Sequence, residues 1–495
     1  MSGAPTEATP SAQDPHRLGT DDHRDGGTER RWRVLGLLSV AQFMLILDVT
    51  VVALALPQMG AELGLDRASL TWVMSAYTLT FGGLLLLGGR SADLFGSRVV
   101  VLTGLSMFTV ASLVTGLASG AGMLIGGRVA QGLAAALLSP AALSVVVKTF
   151  DGEERNKALG VWSALGGAGS AAGVLLGGVL TAGPGWQWVF FVNVPIGAAV
   201  LAALGAFLPH DRPAAGRRSL DIPGALLVTV ATAAAVYGVI TAGERGMFSP
   251  STLIPMAAAL AFYAAFVIRQ RAASTPLMDL SILVRRSVAA GTVLILVATA
   301  ITISVFFLST FYFQQYRQFN PLVTGLLFLP VAAATIIGAQ VAGRQIGVRG
   351  ARVVAGVGLG VTALGAAVAT LAGSTLALEV GITVAALGLG AVFVASSVTA
   401  LASVPHHEAG IASGLLSTFH EFGAAFGAAI SSSVAAASIT GTDADGFVWG
   451  FGVAAAVAAA TGLLSLVVVP GSGGRQASSP SAQSPQDGPV GSAHE

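Results

Sequence analysis

The chain has 495 residues, of which 54% are hydrophobic and only 10% are charged, and its formal net charge is +1. Soluble domains carry about 25% charged residues, so this composition cannot cover a surface that faces water. The lack of Cys excludes disulfides and thiolate metal sites. The small net charge excludes the broad basic field that nucleic-acid binding requires. We therefore expect a membrane protein with no nucleic-acid partner.

Polar segments flank the apolar part of the chain. Residues 1–32 and 471–495 are rich in Pro, Gly, Ser and Asp and cannot bury a core, which predicts two disordered tails. The first apolar run begins at Val34 and has no cleavage site of the signal-peptide type, so it is predicted to be a retained helix.

Fourteen apolar runs lie between the tails, and a helix of about 20 residues crosses a hydrocarbon core of about 30 Å. These runs, numbered as spans 1 to 14, are residues 33–57, 70–89, 99–118, 122–147, 159–182, 188–208, 222–242, 252–269, 288–311, 321–343, 352–372, 376–402, 409–436 and 447–470. The strands of a membrane β-barrel would instead alternate over about ten residues. The fold class predicted is an all-α membrane protein with fourteen transmembrane helices.

Basic residues lie mainly in every second connection, namely those that follow spans 2, 4, 6, 8, 10 and 12. Fifteen Lys and Arg side chains are found there, whereas the opposite connections hold only Arg67, Arg245 and Arg317. Because basic loops stay in the cytoplasm, both termini are predicted to be cytoplasmic, with the chain in the cell membrane. Arg128 stands alone inside span 4.

Two connections have similar sequences, GRSADLFGSR at 89–98 and GRQIGVRGAR at 343–352. Matching them sets spans 1–6 against spans 9–14 and leaves spans 7 and 8 as an inserted hairpin. The domains predicted are an N-terminal half at 33–208, a linker with the hairpin at 209–287 and a C-terminal half at 288–470. Repeated halves with a site between them are typical of secondary transporters. Chance similarity between short turns rich in Gly and Arg is the alternative.

Five motifs follow one another along the chain. They are LDVTVVALALP at 47–57, the connection at 89–98, Arg128 with Gln131, Gly132 and Ala135, GVLLGG at 173–178, and WQWVFFVNVPIG at 186–197. From Trp32 to Pro470 the chain resembles the fourteen-helix drug:proton antiporters of the major facilitator superfamily. It departs from the usual family residues at Ala53, Leu94, Ser97, Val174 and Gln187.

The resemblance implies a major facilitator fold of two six-helix halves plus the inserted hairpin. It implies a transporter rather than an enzyme, namely a proton-coupled exporter of hydrophobic or cationic drugs or antibiotics that works by alternating access. Its partners would be a lipophilic small molecule, protons and the lipid bilayer, with no cofactor. No Gly-Lys pair occurs, which excludes the phosphate loop of ATP-driven pumps. An uptake symporter and a receptor or scaffold that transports nothing are the alternatives.

Asp48 and Arg128 are the first candidates for proton coupling, because an ionisable group near the bilayer centre costs about 2.5–3.5 kcal/mol and usually faces a cavity or a partner. Counting along spans 1 and 4 places the two residues at matching depth. The resemblance implies that helices 1 and 4 both line the central cavity, so the two side chains are predicted to pair when Asp48 is deprotonated. Glu421 in span 13 is a second candidate. A permanent structural ion pair, and local pairing of Glu421, are the alternatives.

Two glycine-containing motifs suggest moving parts. The exporter motif of span 5 is predicted to pack through Gly169, Gly173, Gly177 and Gly178. Gly166, Gly169, Gly173 and Gly177 fall three and four residues apart, which places them on one face where another backbone can approach closely. The connection after span 2 is predicted to act as a conformational latch through Gly89, Asp93, Gly96 and Arg98, with Arg98 pairing across the interface between halves. Simple packing and a charged turn that sets topology are the alternatives.

Aromatic and amide side chains in three spans are candidates for a substrate cavity: Trp72, Tyr77, Gln131, Phe307, Phe311 and Gln314. Contact with lipid is the alternative for the aromatic residues. Pro405, His406, His407 and Glu408 are interpreted as a polar loop, with a metal-ligand cluster as the weaker alternative, so no metal site is predicted.

Overall fold

A computed structural model describes residues 22–208, 221–277, 280–371, 374–402, 404, 409–436, 438 and 444–470. Residues 1–21, residues 471–495 and the predicted loop at 405–408 lie outside the described residues. The described part of the chain consists of α-helices with one π-helical turn and contains no strand. The predicted all-α fold class is confirmed.

The first seven helices are α1 (Asp22–Leu63), α2 (Arg67–Phe95), α3 (Ser97–Gly116), α4 (Ala121–Thr149), α5 (Gly152–Ala182), α6 (Trp188–Phe191) and α7 (Asn193–Phe207). Then follow α8 (Ile222–Arg245), α9 (Pro250–Ala272), α10 (Ser281–Val284), α11 (Arg286–Phe311), a π-helical turn (Tyr312–Tyr316), α12 (Pro321–Ala369), α13 (Thr375–Leu401), α14 (Ala409–Val434) and α15 (Asp445–Val468). Each predicted span coincides with a helix over most of its length. Eleven helical segments of the described chain are long and apolar enough to cross a membrane.

The 49 residues of α12 contain two consecutive spans. Gly350 interrupts them with φ 81° and ψ 157°, a backbone conformation that L side chains rarely adopt. Gly96 separates α2 from α3 with nearly the same angles, φ 89° and ψ 138°. The two similar sequences at 89–98 and 343–352 thus form the same turn in the chain.

Three predicted boundaries were wrong. α1 begins at Asp22, inside the predicted 1–32 tail, and ion pairs one turn apart such as Glu29–Arg33 support a helix beyond the apolar run. It also continues past Pro57 to Leu63, since membrane helices tolerate Pro. The connection at 89–98 is helical as far as Phe95, because only Gly96 leaves the helical conformation.

The helices group into a first half, α1–α7, a second half, α11–α15, and the hairpin, α8–α9. In the first half α4 packs against α2 and α3, and α1 packs against α5; in the second half α13 packs against α12, and α11 against α14. The hairpin docks through α8 on both α2 and α14. The tail side is the end where α1 begins and α2 ends, and the opposite side is the end where α1 ends and α2 begins.

Glycine contacts show that the two halves repeat one packing arrangement. Gly104 of α3 lies against Ala134 and Leu138 of α4, and Gly358 of α12 lies against Gly388 and Val392 of α13. Gly358, Gly388 and Val392 follow Gly104, Ala134 and Leu138, respectively, by the same number of residues in the sequence. That interval also relates Gly96 to Gly350, which shows that the repeat extends well beyond the short turn.

Candidate functional site

Asp48 and Arg128 meet in the interior of the first half. Asp48 comes from the middle of α1 and is fully buried, and Arg128 comes from α4 with 1% of its surface exposed. Arg128 Nη1 forms an ion pair with Asp48 Oδ2. The two groups that depth counting sets at the same level are therefore in direct contact.

Neutral side chains complete a hydrogen-bond network around Asp48. Gln131 Nε2 donates to Asp48 Oδ1 over 3.1 Å and also lies 3.0 Å from Ser112 Oγ. Asn193 Nδ2 approaches the same carboxylate oxygen at 3.5 Å. Both oxygens of Asp48 thus have donors, as a buried carboxylate requires.

Arg128 has further partners besides the carboxylate. Its Nε donates to the carbonyl oxygen of Val73 over 3.0 Å, and its Nη1 donates to Gln131 Oε1 over 3.0 Å. The guanidinium carbon lies 4.3 Å from the ring centroid of Tyr77, within the range of a cation–π interaction. The cation would therefore keep several interactions if the charge on Asp48 were neutralised.

Glu421 lies at a different place, where α14 faces α2. Its carboxylate Oε1 is 3.2 Å from His420 Nδ1, and a Cβ added to Gly82 of α2 would be 2.6 Å from the Cβ of Glu421. The residue is 9% exposed. Glu421 is thus at the interface between halves with a local partner, and its part in proton coupling stays a prediction.

The exporter glycines lie against α1 and α12. Cβ atoms added to Gly169, Gly173 and Gly177 would meet Ile46, Thr50 and Val51 of α1. A Cβ added to Gly178 would lie 2.8 Å from the carbonyl oxygen of Pro321, at the beginning of α12 in the second half. Three of the four glycines therefore pack within the first half, and one lies where the halves touch.

The candidate latch residues lie on the tail side. Asp93 is exposed in the last turn of α2, and Gly89 is half-buried in the same helix. Arg98 Nη2 donates to Gly205 O over 2.7 Å, and its Nη1 donates to the carbonyl oxygen of Leu208. These acceptors end α7 in the first half, where a cation satisfies carbonyls without helical partners. The described contacts of Arg98 thus cap a helix, and its latch function stays a prediction.

The second half contains the equivalent cap. Arg352 Nε donates to Val469 O over 2.7 Å, directly after α15, and Arg286 Nε donates to Val468 O over 2.9 Å. Arg30 makes the corresponding contact in the first half, with its Nε 3.3 Å from Phe207 O. An arginine near the start of the first helix and another after the glycine turn thus hold the last helix of each half on the tail side.

The residues predicted for a substrate cavity are packed in this conformation. Tyr77 and Phe311 are fully buried, Phe307 is 1% exposed, and the ring centroids of Phe307 and Phe311 lie 4.8 Å apart. Trp72 packs in a cluster formed by α2, α8 and α14. Aromatic side chains fill the space between helices here, and the part of these residues in substrate binding stays a prediction.

The two amides predicted for the cavity make specific hydrogen bonds instead. Gln131 belongs to the network around Asp48. Gln314 Nε2, in the π-helical turn, donates to the carbonyl oxygen of Leu54 in α1 over 2.8 Å. Gln314 thus joins the second half to the first on the opposite side.

Ser112 and Asn193 are members of the site to which the sequence assigned no function. Asn193 lies in the WQWVFFVNVPIG motif, so an Asn in an apolar run was an available signal. Ser112 is one small hydroxyl among several in membrane helices, and nothing in its neighbourhood distinguishes it. The same motif contributes Trp186, whose indole Nε1 donates to Glu62 Oε2 over 2.7 Å and ties α1 to the segment before α6.

A family model described as the Major Facilitator Superfamily matches residues 38–428, with a second match over residues 293–490. The chain belongs to the Major Facilitator Superfamily. The fold of this superfamily accounts for the two similar halves, and the many apolar helices make the chain a multi-pass membrane protein.

Several similar members of the superfamily are named for antibiotics. A puromycin resistance protein of Streptomyces alboniger is 35% identical over 464 residues, which cover 90% of this chain and 91% of that protein. A cephamycin export protein of Amycolatopsis lactamdurans is 36% identical, with 85% of this chain and 88% of that protein covered. A lincomycin resistance protein of Streptomyces lincolnensis is 33% identical and covers 88% and 91%.

Solved structures of transporters share the fold. A bacterial homolog of the human lysosomal transporter Spinster, in an inward-facing and unoccupied conformation, superimposes with a TM-score of 0.63 over 89% of this chain and 98% of that one, at 15% identity. An auto-inhibited peptide transporter of the POT family gives a TM-score of 0.61 at 15% identity, with 88% and 96% covered. At this identity the likeness concerns the fold alone.

Proposed function

We propose that this major facilitator chain exports antibiotics or other lipophilic drugs in exchange for protons. The observation that carries the proposal is the fully buried Asp48 carboxylate, held by Arg128, Gln131 and Asn193 inside a chain of this superfamily. The relatives named for resistance and export support a drug as the transported molecule.

The contacts of Arg128 suggest how one proton could act. When Asp48 binds a proton, its carboxylate loses its charge and the ion pair with Arg128 is weakened. The guanidinium then retains Val73 O, Gln131 Oε1 and the Tyr77 ring, so the buried cation does not lose all its partners. Because Arg128 keeps hydrogen-bond partners whether Asp48 is charged or protonated, α1 and α4 can change their contact reversibly.

The proton motive force is sufficient for export without ATP. Moving one charge through 100 mV provides about 2.3 kcal/mol, and a tenfold concentration ratio requires about 1.4 kcal/mol. One proton per neutral drug molecule therefore supports a gradient of roughly fortyfold from the voltage alone.

We further infer that the chain is a fourteen-helix antiporter of the cell membrane, with both termini and the tail side in the cytoplasm. Fifteen basic residues in the connections on this side, against three on the other, support that orientation. The first and second halves would rock about the site between them, and Glu421 would be a second group for proton or cation binding. A single Cys in place of Arg90 should resist impermeant thiol reagents applied to intact cells; labelling from outside would contradict this orientation.

Transport in inverted membrane vesicles tests the function. With a pH gradient established by respiration, addition of puromycin or lincomycin should release protons from the lumen and load the drug into the vesicles. The Asp48→Asn variant should bind the drug but show no response of drug uptake to the gradient, because no proton can be carried at that position.

Glu153→Gln is the matched control, since Glu153 is exposed on the tail side and its removal should leave transport at the parental rate. Drug and proton moving in the same direction would indicate a symporter. A vesicle that moves no drug would indicate a receptor or scaffold. Gradient-driven transport by Asp48→Asn would assign the coupling proton to another group, with Glu421 the next to test.

A further inference from the structure

Arg67 is a buried cation at the point where three helices meet on the opposite side. It is the first residue of α2, and 6% of its surface is exposed. Its surroundings include Ser432 in the last turn of α14 in the second half and Ile240 in the C-terminal part of α8 in the hairpin. The sequence marked Arg67 only as one of three basic residues in the connections of this side.

The contacts of Arg67 cross between the two halves. Its Nη1 donates to the carbonyl oxygen of Ser432 over 2.8 Å and lies 2.9 Å from the Ser432 hydroxyl, while its Nη2 donates to Ile240 O over 3.3 Å. One turn further along α2, Thr71 Oγ1 lies 2.6 Å from Ser432 Oγ. The guanidinium therefore binds the end of α14 and the C-terminal part of α8, two helices that belong to other parts of the molecule.

The end of the hairpin is attached to the second half at the same level. Ser433 Oγ donates to Val239 O of α8 over 2.6 Å. Below it, Val236 and Ile240 pack with Ala425 and Ala429 of α14, and Trp72 of α2 completes the cluster. The hairpin thus covers the contact line between α2 and α14 and is bonded to both.

We propose that Arg67 is a positioning residue that holds the opposite side of the transport path closed by joining the first half, the second half and the hairpin. This inference rests on the proposed function, because closure matters only if the halves rock. Ser432 O lies in the last turn of α14, at the negative end of the helix dipole, where a cation binds well. Carbonyls and hydroxyls are also neutral, which lets the contact separate without leaving a buried carboxylate behind.

A reversible disulfide in this chain without Cys tests the closure directly. The Thr71→Cys, Ser432→Cys double variant should form a disulfide on oxidation, because the parent oxygens are 2.6 Å apart. Export in proteoliposomes should stop on oxidation and return on reduction. The matched control is Ser97→Cys, Ser144→Cys, whose parent oxygens are 3.3 Å apart and which joins α3 to α4 within the first half. Its oxidation should leave export unchanged.

A labelling measurement tests Arg67 without requiring any drug. Ser75 is fully buried at the contact of α2 with α14, where its hydroxyl donates to Ala425 O over 3.3 Å. In purified Ser75→Cys protein, Arg67→Gln should raise the rate of labelling by a polar thiol reagent about tenfold, the change expected when roughly one charged hydrogen bond is lost. Arg67→Lys keeps the charge but not the planar guanidinium, so the labelling rate in this variant should lie between the rates with Arg67 and with Arg67→Gln.

Two results would overturn the assignment. One is an unchanged labelling rate of Ser75→Cys in the Arg67→Gln background. The other is full export by the oxidised Thr71→Cys, Ser432→Cys protein. A parent protein that moves no drug, with labelling still accelerated by Arg67→Gln, would refute the proposed export and leave the closure by Arg67 in place.

Discussion

The two halves of this transporter share one arrangement of packed helices and differ in the side chains buried between those helices. Gly104 and its equivalent Gly358 are separated by a fixed number of residues in the sequence. The same separation pairs three residues of the Asp48 network with apolar residues of the second half. Arg128 corresponds to Ile382, Gln131 to Ala385 and Ser112 to Ala366, and all three second-half residues are fully buried.

The difference shows that close packing of these helices does not need ionised groups. In the second half the equivalents of Arg128, Gln131 and Ser112 are aliphatic, and the equivalent of Asp48 is the uncharged Thr302, whose hydroxyl donates to Ala298 O over 2.8 Å. Burying a charge costs free energy unless it is paired and hydrogen-bonded. The stability of the fold does not account for the network around Asp48, and this supports our proposal that the first half carries the coupling proton.

The largest difference between the halves is expected at Arg128 and Ile382. Arg128→Leu leaves the Asp48 carboxylate buried without its cation, which should lower the free energy of unfolding by about 3–5 kcal/mol and abolish export. Ile382→Val removes one methyl group at the equivalent position, so the loss should be about 0.5–1.5 kcal/mol with export retained. Thermal unfolding in detergent and vesicle transport measure the two effects.

A double variant shows whether the unpaired charge causes that loss. Adding Asp48→Asn to Arg128→Leu should recover part of the stability but none of the export. Equal destabilisation by Arg128→Leu and Ile382→Val would mean that the buried ion pair contributes no more than ordinary packing, and the distinction between the halves would fail.

A smaller difference is expected at two equivalent glycines, Gly173 of α5 and Gly427 of α14. A Cβ at Gly427 would overlap the backbone carbonyl of Ala300, which cannot rotate away, whereas one at Gly173 would overlap the Thr50 hydroxyl, which can. Gly427→Ala should therefore lower the free energy of unfolding by about 1–3 kcal/mol, and Gly173→Ala by less. Chemical denaturation of the two variants compares them; a larger loss from Gly173→Ala would show that α1 and α5 are the more rigid pair.

The halves should behave alike at the arginines that cap their last helices. Arg98→Ala and Arg352→Ala each remove charged hydrogen bonds to carbonyls at the ends of α7 and α15, so each should cost about 1 kcal/mol after allowance for partial exposure. The losses should add in the double variant, because the two sites share no partner. Arg349→Ala, at an exposed position beside the glycine turn, is the control and should change the unfolding temperature little. A loss of stability in only one of the two variants would mean that the halves repeat their helix contacts but not their arginine caps.

The smallest effect is expected at the helix caps of the opposite side. Asp66 Oδ1 accepts from Ser69 N over 2.8 Å at the start of α2, and Asn320 Oδ1 accepts from Val323 N over 2.8 Å at the equivalent start of α12. Asp and Asn cap helices about equally well, so Asp66→Asn should cost about 0.5 kcal/mol or less at pH 7.

The pH dependence distinguishes the two caps. Hydrogen bonds from Ser69 lower the pKa of Asp66 below its usual 3.8, so the carboxylate stabilises the fold above that value and the contribution disappears as the pH falls through the lowered pKa. Asp66→Asn should remove this pH-dependent contribution to the free energy of unfolding, measured between pH 7 and pH 3. Asn320→Asp should introduce such a contribution in the second half. Identical curves for the parent and both variants would show that the cap charge contributes nothing.

The sequence by itself determined the membrane character, the helical spans and the matching depth of Asp48 and Arg128. A run of apolar residues can cross the bilayer only as a helix, and the rise per residue converts position in the run into depth. Two opposite charges at one depth are then candidates for a pair, once the resemblance implies that helices 1 and 4 line the same cavity. The repeated turn was visible for a similar reason, since Gly96 and Gly350 both adopt a conformation that favours glycine.

Only the tertiary structure decided which side chains meet across helices. Position in a helix gives depth and face, but the neighbour of that face depends on how helices far apart in sequence pack. For this reason the hydrogen bonds of Asn193 with Asp48, of Gln131 with Ser112 and of Arg67 with Ser432 could not be predicted. Phe307 and Phe311 are buried between helices in this structure. An aromatic ring in a membrane helix has the same sequence pattern whether it lines a cavity or fills the core, so their contact with a substrate stays a prediction.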